Sequence, residues 1–369
     1  MILVDGVLIE DKPGADLVDE VTRRPSLVEA AERFGSAAPS PASSAAGCVP
    51  ENKKHIYVLQ GETASVEYQA DDAVLASDDA TTCVIAAVVC RTTGMAAMAH
   101  FDEITSKSDL CLRKFLGCMY GGRHCVYDLY LVGGMIEDSG VGLRTASNIL
   151  SFIHRSNGVF HLRLACVQRL NTLPSGAPRS RSFALDASRD TAVYSLDGCA
   201  AHTKTNRGPG LDQRLAHFWL VSSYVTDLVS TYDPHDQEFV LHGFTHTVPR
   251  WLMVNAAYLL TLSDEDLLLK TSTTPRHEGP NFVDDVRRAM QFIVARAEKP
   301  FTLFSRSFSW EPSLRQWMEM DAAGKTGKLT QQEFRKPLSR SVSYQALDEL
   351  DIDIPGSSWS EHKVGEASH

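Results

Sequence analysis

Apolar and polar positions follow two rhythms along this chain. Over 14–34, "GADLVDEVTRRPSLVEAAERF", apolar residues return every three or four positions, the period of a helix with one buried face. Pro25 interrupts the period. Ser26, with Glu29 three residues on, has the capping-box pattern that opens a second helix. From about 55 the rhythm changes. "HIYVLQ" (55–60), "CVIAAVVCR" (83–91) and "VYDLYLVGG" (126–134) are apolar, β-branched or aromatic runs bounded by turns, and they predict strands. "TTG" after Arg91 predicts a turn, and "MAAMAH" (95–100) a strand running back beside 83–91 as a hairpin. A helix is expected over about 104–118 and another, "LRTASNILSFIHR", after Gly140. Further strands are read at 161–170, 182–187, 191–196, 224–233 and 238–248, and helices at 263–272 and 279–299.

This order is strand-rich with interspersed helices and lacks strict βαβ alternation. It predicts an α+β fold, a layered α/β/β sandwich with mostly antiparallel sheets and helices on one face. "GSAAPSPASSAAGCVP" (35–50) has no large apolar residue and reads as a flexible loop. After about 335 the chain turns polar, and 336–369 reads as a disordered tail. The expected organisation is therefore 1–34, an N-terminal strand and helices, forming one unit with a catalytic domain over 51–335, with the loop between them.

The totals change this picture little. A net charge of −10, from 36 basic and 46 acidic residues, argues against nucleic acid or an anionic membrane as the main partner. The longest apolar runs fall far short of the roughly 20 residues needed to span a bilayer. Acids interrupt the first apolar segment and no basic leader precedes it, so it reads as a strand rather than a secretory signal. The expected compartment is cytoplasmic or nuclear, with the eight cysteines reduced.

A reduced cysteine is packing, metal ligand or nucleophile. Cys111, Cys118 and Cys125 recur every seven residues with His124 beside the last, but the spacing suits no CxxC pair, and packing is the expected role. His242 and His246, placed on one face of a strand, read as a solvated face. "VGG" at 132–134 reads as a tight turn. Cys83 is different. It follows "SDDATT", so it stands at the mouth of a strand rather than inside one, and His100 is seventeen residues on. In the expected hairpin the two are neighbours at its open end. An imidazole beside a thiol is the arrangement that converts it to a thiolate nucleophile.

"SDDATTC" (77–83), "HFDEIT" (100–105), "LYLVGG" (129–134), "VSTYD" (229–233), "LSDEDLLLKTSTTP" (262–275), "PNFVDDVRRAMQFI" (280–293) and "TLFS" (302–305) together resemble the metazoan-type protein N-terminal asparagine amidohydrolases. The resemblance covers roughly 2–12 and 55–320. It implies removal of the side-chain amide of an N-terminal asparagine, leaving aspartate and ammonia, in a step that marks proteins for arginylation and degradation. The partners implied are proteins or peptides beginning with Asn, and no cofactor or metal is implied. The family is similar in turn to bacterial chemoreceptor glutamine deamidases, which use a Cys, a His seventeen residues later and a Thr six before the Cys. Those positions here are Cys83, His100 and Ser77, a hydroxyl replacing a hydroxyl.

The mechanism expected has Cys83 as nucleophile, His100 as base and then acid, and Ser77 fixing the ring. Backbone N–H groups, with Thr81 or Thr82, hold the oxyanion. A free α-amino group calls for a carboxylate, for which Asp78, Asp79 and Asp102 are the nearest candidates. The rival readings are a deamidase of internal Gln or of small amides, and a thiol peptidase.

Overall fold

The structure, a computed structural model, describes residues 1–36, 53–67, 71–117, 125–187, 192–197, 207–221, 227–297 and 299–320. Of the loop expected at 35–50, Gly35 and Ser36 instead end a helix, and 37–50 lies outside the described residues, as do the tail expected at 336–369, Cys118 and His124.

The architecture is α+β. Its centre is a hairpin of β6 (Val84–Cys90) and β7 (Met95–Phe101), whose sequences "VIAAVVC" and "MAAMAHF" are almost unbroken apolar runs. Such runs suit strands covered on both faces. β4 (Glu62–Glu67), β8 (Val126–Gly133), β9 (Val159–Val167), the short β1 (Ile2–Val4) and β2 (Val7–Leu8), and β12 (Val229–Ser230) extend it into an eight-stranded sheet ordered β12-β4-β7-β6-β8-β9-β1-β2. β3 (Lys54–Tyr57), β5 (Ala73–Ser77), β10 (Phe183–Ala187) and β11 (Ala192–Tyr194) make a four-stranded sheet ordered β11-β10-β5-β3. Pairings β8–β9, β1–β9, β3–β5 and β12–β4 are parallel, and the others among the described residues are antiparallel.

Strand alternation explains how the layers meet. In the small sheet Ile56, Leu75, Phe183 and Leu185 join the core of the large sheet, while Tyr57, Val74, Ala76 and Ala184 face a second cluster with Leu196. Ser77 therefore points toward the large sheet, and Asp78 leaves β5 on the other side. On the far face of the large sheet lie α1 (Gly14–Thr22), α3 (Glu103–Lys107), α4 (Asp109–Gly117) and α5 (Val141–Arg155), with α5 packed on β6 and β9. α2 (Pro25–Ser36) sits on the small-sheet side, where Phe34 meets Phe183 at 5.9 Å between ring centres.

A separate apolar core joins α6 (Leu211–Val221), α7 (Arg250–Thr261), α8 (Asp264–Thr271) and α9 (Phe282–Val294) through Ala216, Leu252, Ala256, Leu267, Met290 and Ile293. β13 (Tyr232–Asp233), β14 (Glu238–Leu241), β17 (Arg306–Glu311) and β18 (Gln316–Glu319) form a third sheet, and β15 (Phe244–His246) pairs with β16 (Phe301–Leu303).

Several expected boundaries move. The helix over 104–118 is two helices, because Ser108 is extended (ψ 110°) and its hydroxyl accepts from the Cys111 amide, starting α4 afresh. α2 begins at Pro25 itself, a residue suited to a first helical turn, so the Ser26–Glu29 capping box does not form and Ser26 Oγ has no partner among the described residues. The strand expected at 238–248 breaks at Gly243, where a side chain would meet the Leu303 carbonyl at 2.5 Å. His242 falls outside both strands and donates to or accepts from nothing on His246, its Nε2 lying 2.8 Å from the Ser230 carbonyl. Of the strand expected at 224–233, the described part divides between β12 and β13, which belong to different sheets.

Candidate active site

β6 and β7 pair with Ile85 across from His100 and Val84 across from Phe101. The turn between them closes at Gly94, with φ +78°, a conformation that favours glycine. One step beyond β6, the same register sets Cys83 opposite Asp102 and diagonal to His100 on one face. The hairpin places the thiol and the imidazole at its open end, as the spacing predicts.

Ser77 arrives from the other sheet. Its hydroxyl lies 2.6 Å from the Val58 carbonyl and 2.9 Å from His100 Nδ1. A carbonyl can only accept, so the hydroxyl proton goes to Val58 and the oxygen accepts from Nδ1–H. That fixes the tautomer and leaves Nε2 with a bare lone pair. Nε2 is buried and has no hydrogen-bond partner among the described residues.

The backbone around Cys83 is held from beneath. Gly134 N–H donates to the Cys83 carbonyl at 2.7 Å and Met135 N–H to the Thr81 carbonyl at 2.9 Å. Gly133 has φ +116°, and any Cβ there would stand 2.3 Å from the Cys83 carbonyl oxygen. Gln168 donates from its side chain and its amide to the Gly134 carbonyl, at 2.6 and 2.8 Å. The "VGG" turn is thus the seat of the Cys83 loop. Among the described residues, the backbone N–H groups of Thr82 and Cys83 have no acceptor.

The acids before Cys83 are tied to a cation the sequence did not single out. Arg207 Nη2 donates to both oxygens of Asp78 (2.8 and 2.7 Å) and to Asp79 (2.9 Å), and Nη1 pairs with Asp285 on α9. The guanidinium is 4% exposed and lies over the Tyr57 ring. Asp79 adopts a left-handed φ of +55°, which an aspartate tolerates in a turn. Burial and the adjacent Asp78 push its carboxyl up, while Arg207 opposes them.

The loop between α8 and α9 closes over these residues. Thr82 and Thr273 hydroxyls meet at 3.3 Å, the Thr81 hydroxyl reaches Glu278, and the Cα of Gly279 is so close to Asp79 that a Cβ would overlap its carboxylate. Asp102 caps α3: one oxygen accepts from Thr105 N–H and Oγ1, both at 2.7 Å, and the other accepts from Gln60 at 3.3 Å.

Burial lowers the His100 imidazole to about 4, against the pull of Asp78 and Asp102. Burial also pushes the Cys83 thiol up, and the charges of Asp102 and Glu278 add to it. Both shifts favour a neutral thiol and a neutral imidazole at rest over a standing thiolate, because a dry site with carboxylates nearby disfavours both charges. His100 should titrate in NMR with a midpoint near pH 4, and a midpoint near 6.5 would contradict the buried neutral ring. Its lowered value also affects stability. The folded form binds the proton less readily than the unfolded chain, so this contribution is full above pH 6.5 and is lost as pH falls toward 4, on the order of 3 kcal/mol.

A family model described as protein N-terminal asparagine amidohydrolase matches residues 47–316. A human protein of that name is 27% identical over 267 residues, covering 68% of this chain and 78% of the human one. The Arabidopsis thaliana protein of that name is 26% identical over 268 residues, covering 66% and 74%. The Sus scrofa one is 27% identical over 295 residues, covering 73% and 85%. The chain belongs to the protein N-terminal asparagine amidohydrolase family. It is accordingly a hydrolase of a linear amide.

Seen as a member of this amidohydrolase family, the chain brings Cys83, His100 and Ser77 into one site from three strand ends. Thr81 and Thr82 turn toward the α8–α9 loop, Asp78 and Asp79 toward Arg207, and Asp102 toward its helix. Arg207, Asp285, Glu278 and the Val58 carbonyl were not anticipated. Asp285 stands in "PNFVDD", one of the segments that carried the resemblance, but nothing in its spacing ties it to Asp78. Cys111, Cys125 and Cys166 are buried packing residues. Among the described residues no group of three His, Cys, Asp or Glu is arranged to hold a metal ion.

Proposed function

We propose that the protein converts an N-terminal asparagine of a peptide or protein to aspartate, with Cys83 as nucleophile. The observation that carries this reading is the bare, buried Nε2 of His100, in a tautomer set by Ser77, on the hairpin face where the strand register sets Cys83 diagonal to it, with N–H groups at Thr82 and Cys83 that lack acceptors among the described residues. Proton transfer accompanies attack. As Cys83 sulfur bonds to the side-chain amide carbon, its proton passes to His100 Nε2, and the carbonyl oxygen takes the negative charge against the Thr82 and Cys83 N–H groups. The imidazolium then gives that proton to the amide nitrogen, the C–N bond breaks, and ammonia leaves a thioester. Water, losing a proton to His100, attacks the thioester, and the thiol is released as aspartate forms. His100 thus cycles through the charged state only while the oxyanion is there to balance it. No step requires a metal or an organic cofactor. Ser77 and Val58 keep the ring from turning between the two half-reactions.

The family resemblance supports a cellular place for this step: the new N-terminal aspartate is open to arginylation and degradation, in the cytoplasm or nucleus. The substrate amine needs a carboxylate near the thiol, and Asn must be told from Gln by a pocket too short for the longer side chain, since one methylene gives only about 1–3 kcal/mol of attraction.

The test is a peptide series beginning with Asn, acetyl-Asn or Gln, with ammonia and product mass measured. Ammonia and a gain of about one dalton from the Asn peptide alone are expected. Equal turnover of acetyl-Asn would favour an internal-amide deamidase, and a truncated product a thiol peptidase. His100→Ala should lower turnover by about 10²–10⁴-fold, the usual contribution of a general base, and undiminished turnover would remove it from the mechanism.

A further inference from the structure

An N-terminal deamidase has a geometric requirement. In asparagine the α-nitrogen is three bonds from the side-chain amide carbon, hence at most about 4 Å from it. With sulfur about 3 Å from that carbon at attack, the group that binds the ammonium must stand next to Cys83. The carboxylates near Cys83 differ sharply in what they already hold. Asp78 and Asp79 are bound to Arg207, and Asp78 by both oxygens. Asp102 has one oxygen committed to the α3 cap and the other to Gln60.

Glu278 is held differently. It lies in the loop between α8 and α9, folded back so that Ser272 and Thr274 hydroxyls both donate to Oε1, the second at 3.2 Å. The Thr81 hydroxyl, two residues before the nucleophile, also reaches it. The loop is pinned to the nucleophile loop on either side, through Thr273 to Thr82 and through Gly279 packed on Asp79. The charge of Glu278 is felt at the Cys83 thiol. Yet among the described residues no Lys, Arg or His stands within ion-pair distance of it. Arg181, the cation whose field reaches Glu278, donates its Nη1 to the His277 carbonyl at 2.8 Å. A largely buried carboxylate held by hydroxyls alone, next to a nucleophile, lacks a counter-charge. Burial accordingly raises its carboxyl, against the hydroxyl bonds that stabilise the anion.

We infer that Glu278 binds the α-ammonium of the substrate and so confines the reaction to asparagine at the start of a chain. The inference rests on the N-terminal deamidase reading above. The substrate ammonium supplies the cation the site lacks, and the resulting ion pair sets the side-chain amide over Cys83. An internal asparagine brings a neutral amide nitrogen instead and leaves Glu278 uncompensated.

The test compares the full chain and its Glu278→Gln variant on two peptides, one beginning with Asn and one beginning with a succinamoyl group, which is asparagine without the amine. The wild-type protein should strongly prefer the free amine. Glu278→Gln should reduce that preference at least about 30-fold, chiefly through a raised KM for the Asn peptide. A near-UV circular dichroism spectrum and a urea midpoint unchanged from wild type check that the variant is folded. Glu278→Asp, which keeps the charge on a shorter arm, should recover part of the preference. An undiminished preference in Glu278→Gln, or its loss in Asp102→Asn instead, would overturn the inference. A wild-type protein that releases no ammonia from the Asn peptide would fail the underlying reading, and this inference with it.

Discussion

Cys83→Ser should fold as the wild type does and release no measurable ammonia from an Asn-initiated peptide, a loss of roughly 10³–10⁶-fold if the nucleophile behaves as those of other acyl-transfer enzymes do. The size of the loss follows from the neutrality of the site. His100, lowered to about 4, is a weak base. It can take a thiol proton only because sulfur is polarisable and is already bonding to carbon as the proton moves. A serine hydroxyl is far less acidic, and the same imidazole cannot draw its proton. Cys83 is only half-buried and its place is set by backbone bonds to Gly134 and Met135 through its own loop, so one chalcogen for another costs little in packing. Ammonia release by a coupled assay and near-UV circular dichroism decide the matter. Substantial activity in a well-folded Cys83→Ser protein would remove Cys83 as the nucleophile.

Arg207→Met should destabilise the protein by about 3–5 kcal/mol at neutral pH, the usual consequence of leaving buried charge unpaired. Three carboxylates, Asp78, Asp79 and Asp285, converge on this one guanidinium. With it gone they repel one another in a dry environment. The folded-state values of Asp79 and Asp285, which burial already raises, then rise further above the unfolded ones. A group whose folded value is raised stabilises fully below its unfolded value, near 4, and loses that contribution as pH climbs through the folded one. The deficit of Arg207→Met should therefore grow from pH 5.5 to pH 8. Urea midpoints at the two values read it directly, and a deficit that shrinks with pH would show that these carboxylates are not what the arginine neutralises. Activity should fall as well, because the same arginine ties the nucleophile loop to α9.

The hairpin was legible because it is local: two apolar arms and a short turn fix which ends meet, and Cys83 and His100 follow from counting. Ser77 was legible through its position in a motif, although the bond that matters is made across two sheets. What escaped was everything that reaches the site from far along the chain. Arg207 stands between polar residues with no periodicity to mark it, and its three partners come from β5's exit and from α9. Glu278 sits in "TPRHEGPN", just before the helix read at 279–299, where neither spacing nor periodicity marks it. β5, "AVLAS", is too short to stand out, and α7, "RWLMVNAAYLLT", is too evenly apolar to show a helical stripe. The acids of "SDDATTC" have the right chemistry for an amine, but residue type alone cannot say that an arginine already holds them. The helix over 104–118 was expected as one because Ser108 disturbs its period too little to show.

The neutral resting pair has one more outcome, for the lifetime of the enzyme. Peroxide and disulfides react with thiolate far faster than with thiol, and each oxidation of a catalytic cysteine begins there. Because burial, Asp102 and Glu278 all keep the Cys83 proton in place, the sulfur meets such oxidants in its inert form. It becomes reactive only in company with a bound amide carbon. The same desolvation that lowers His100 thus shields the Cys83 sulfur from oxidation.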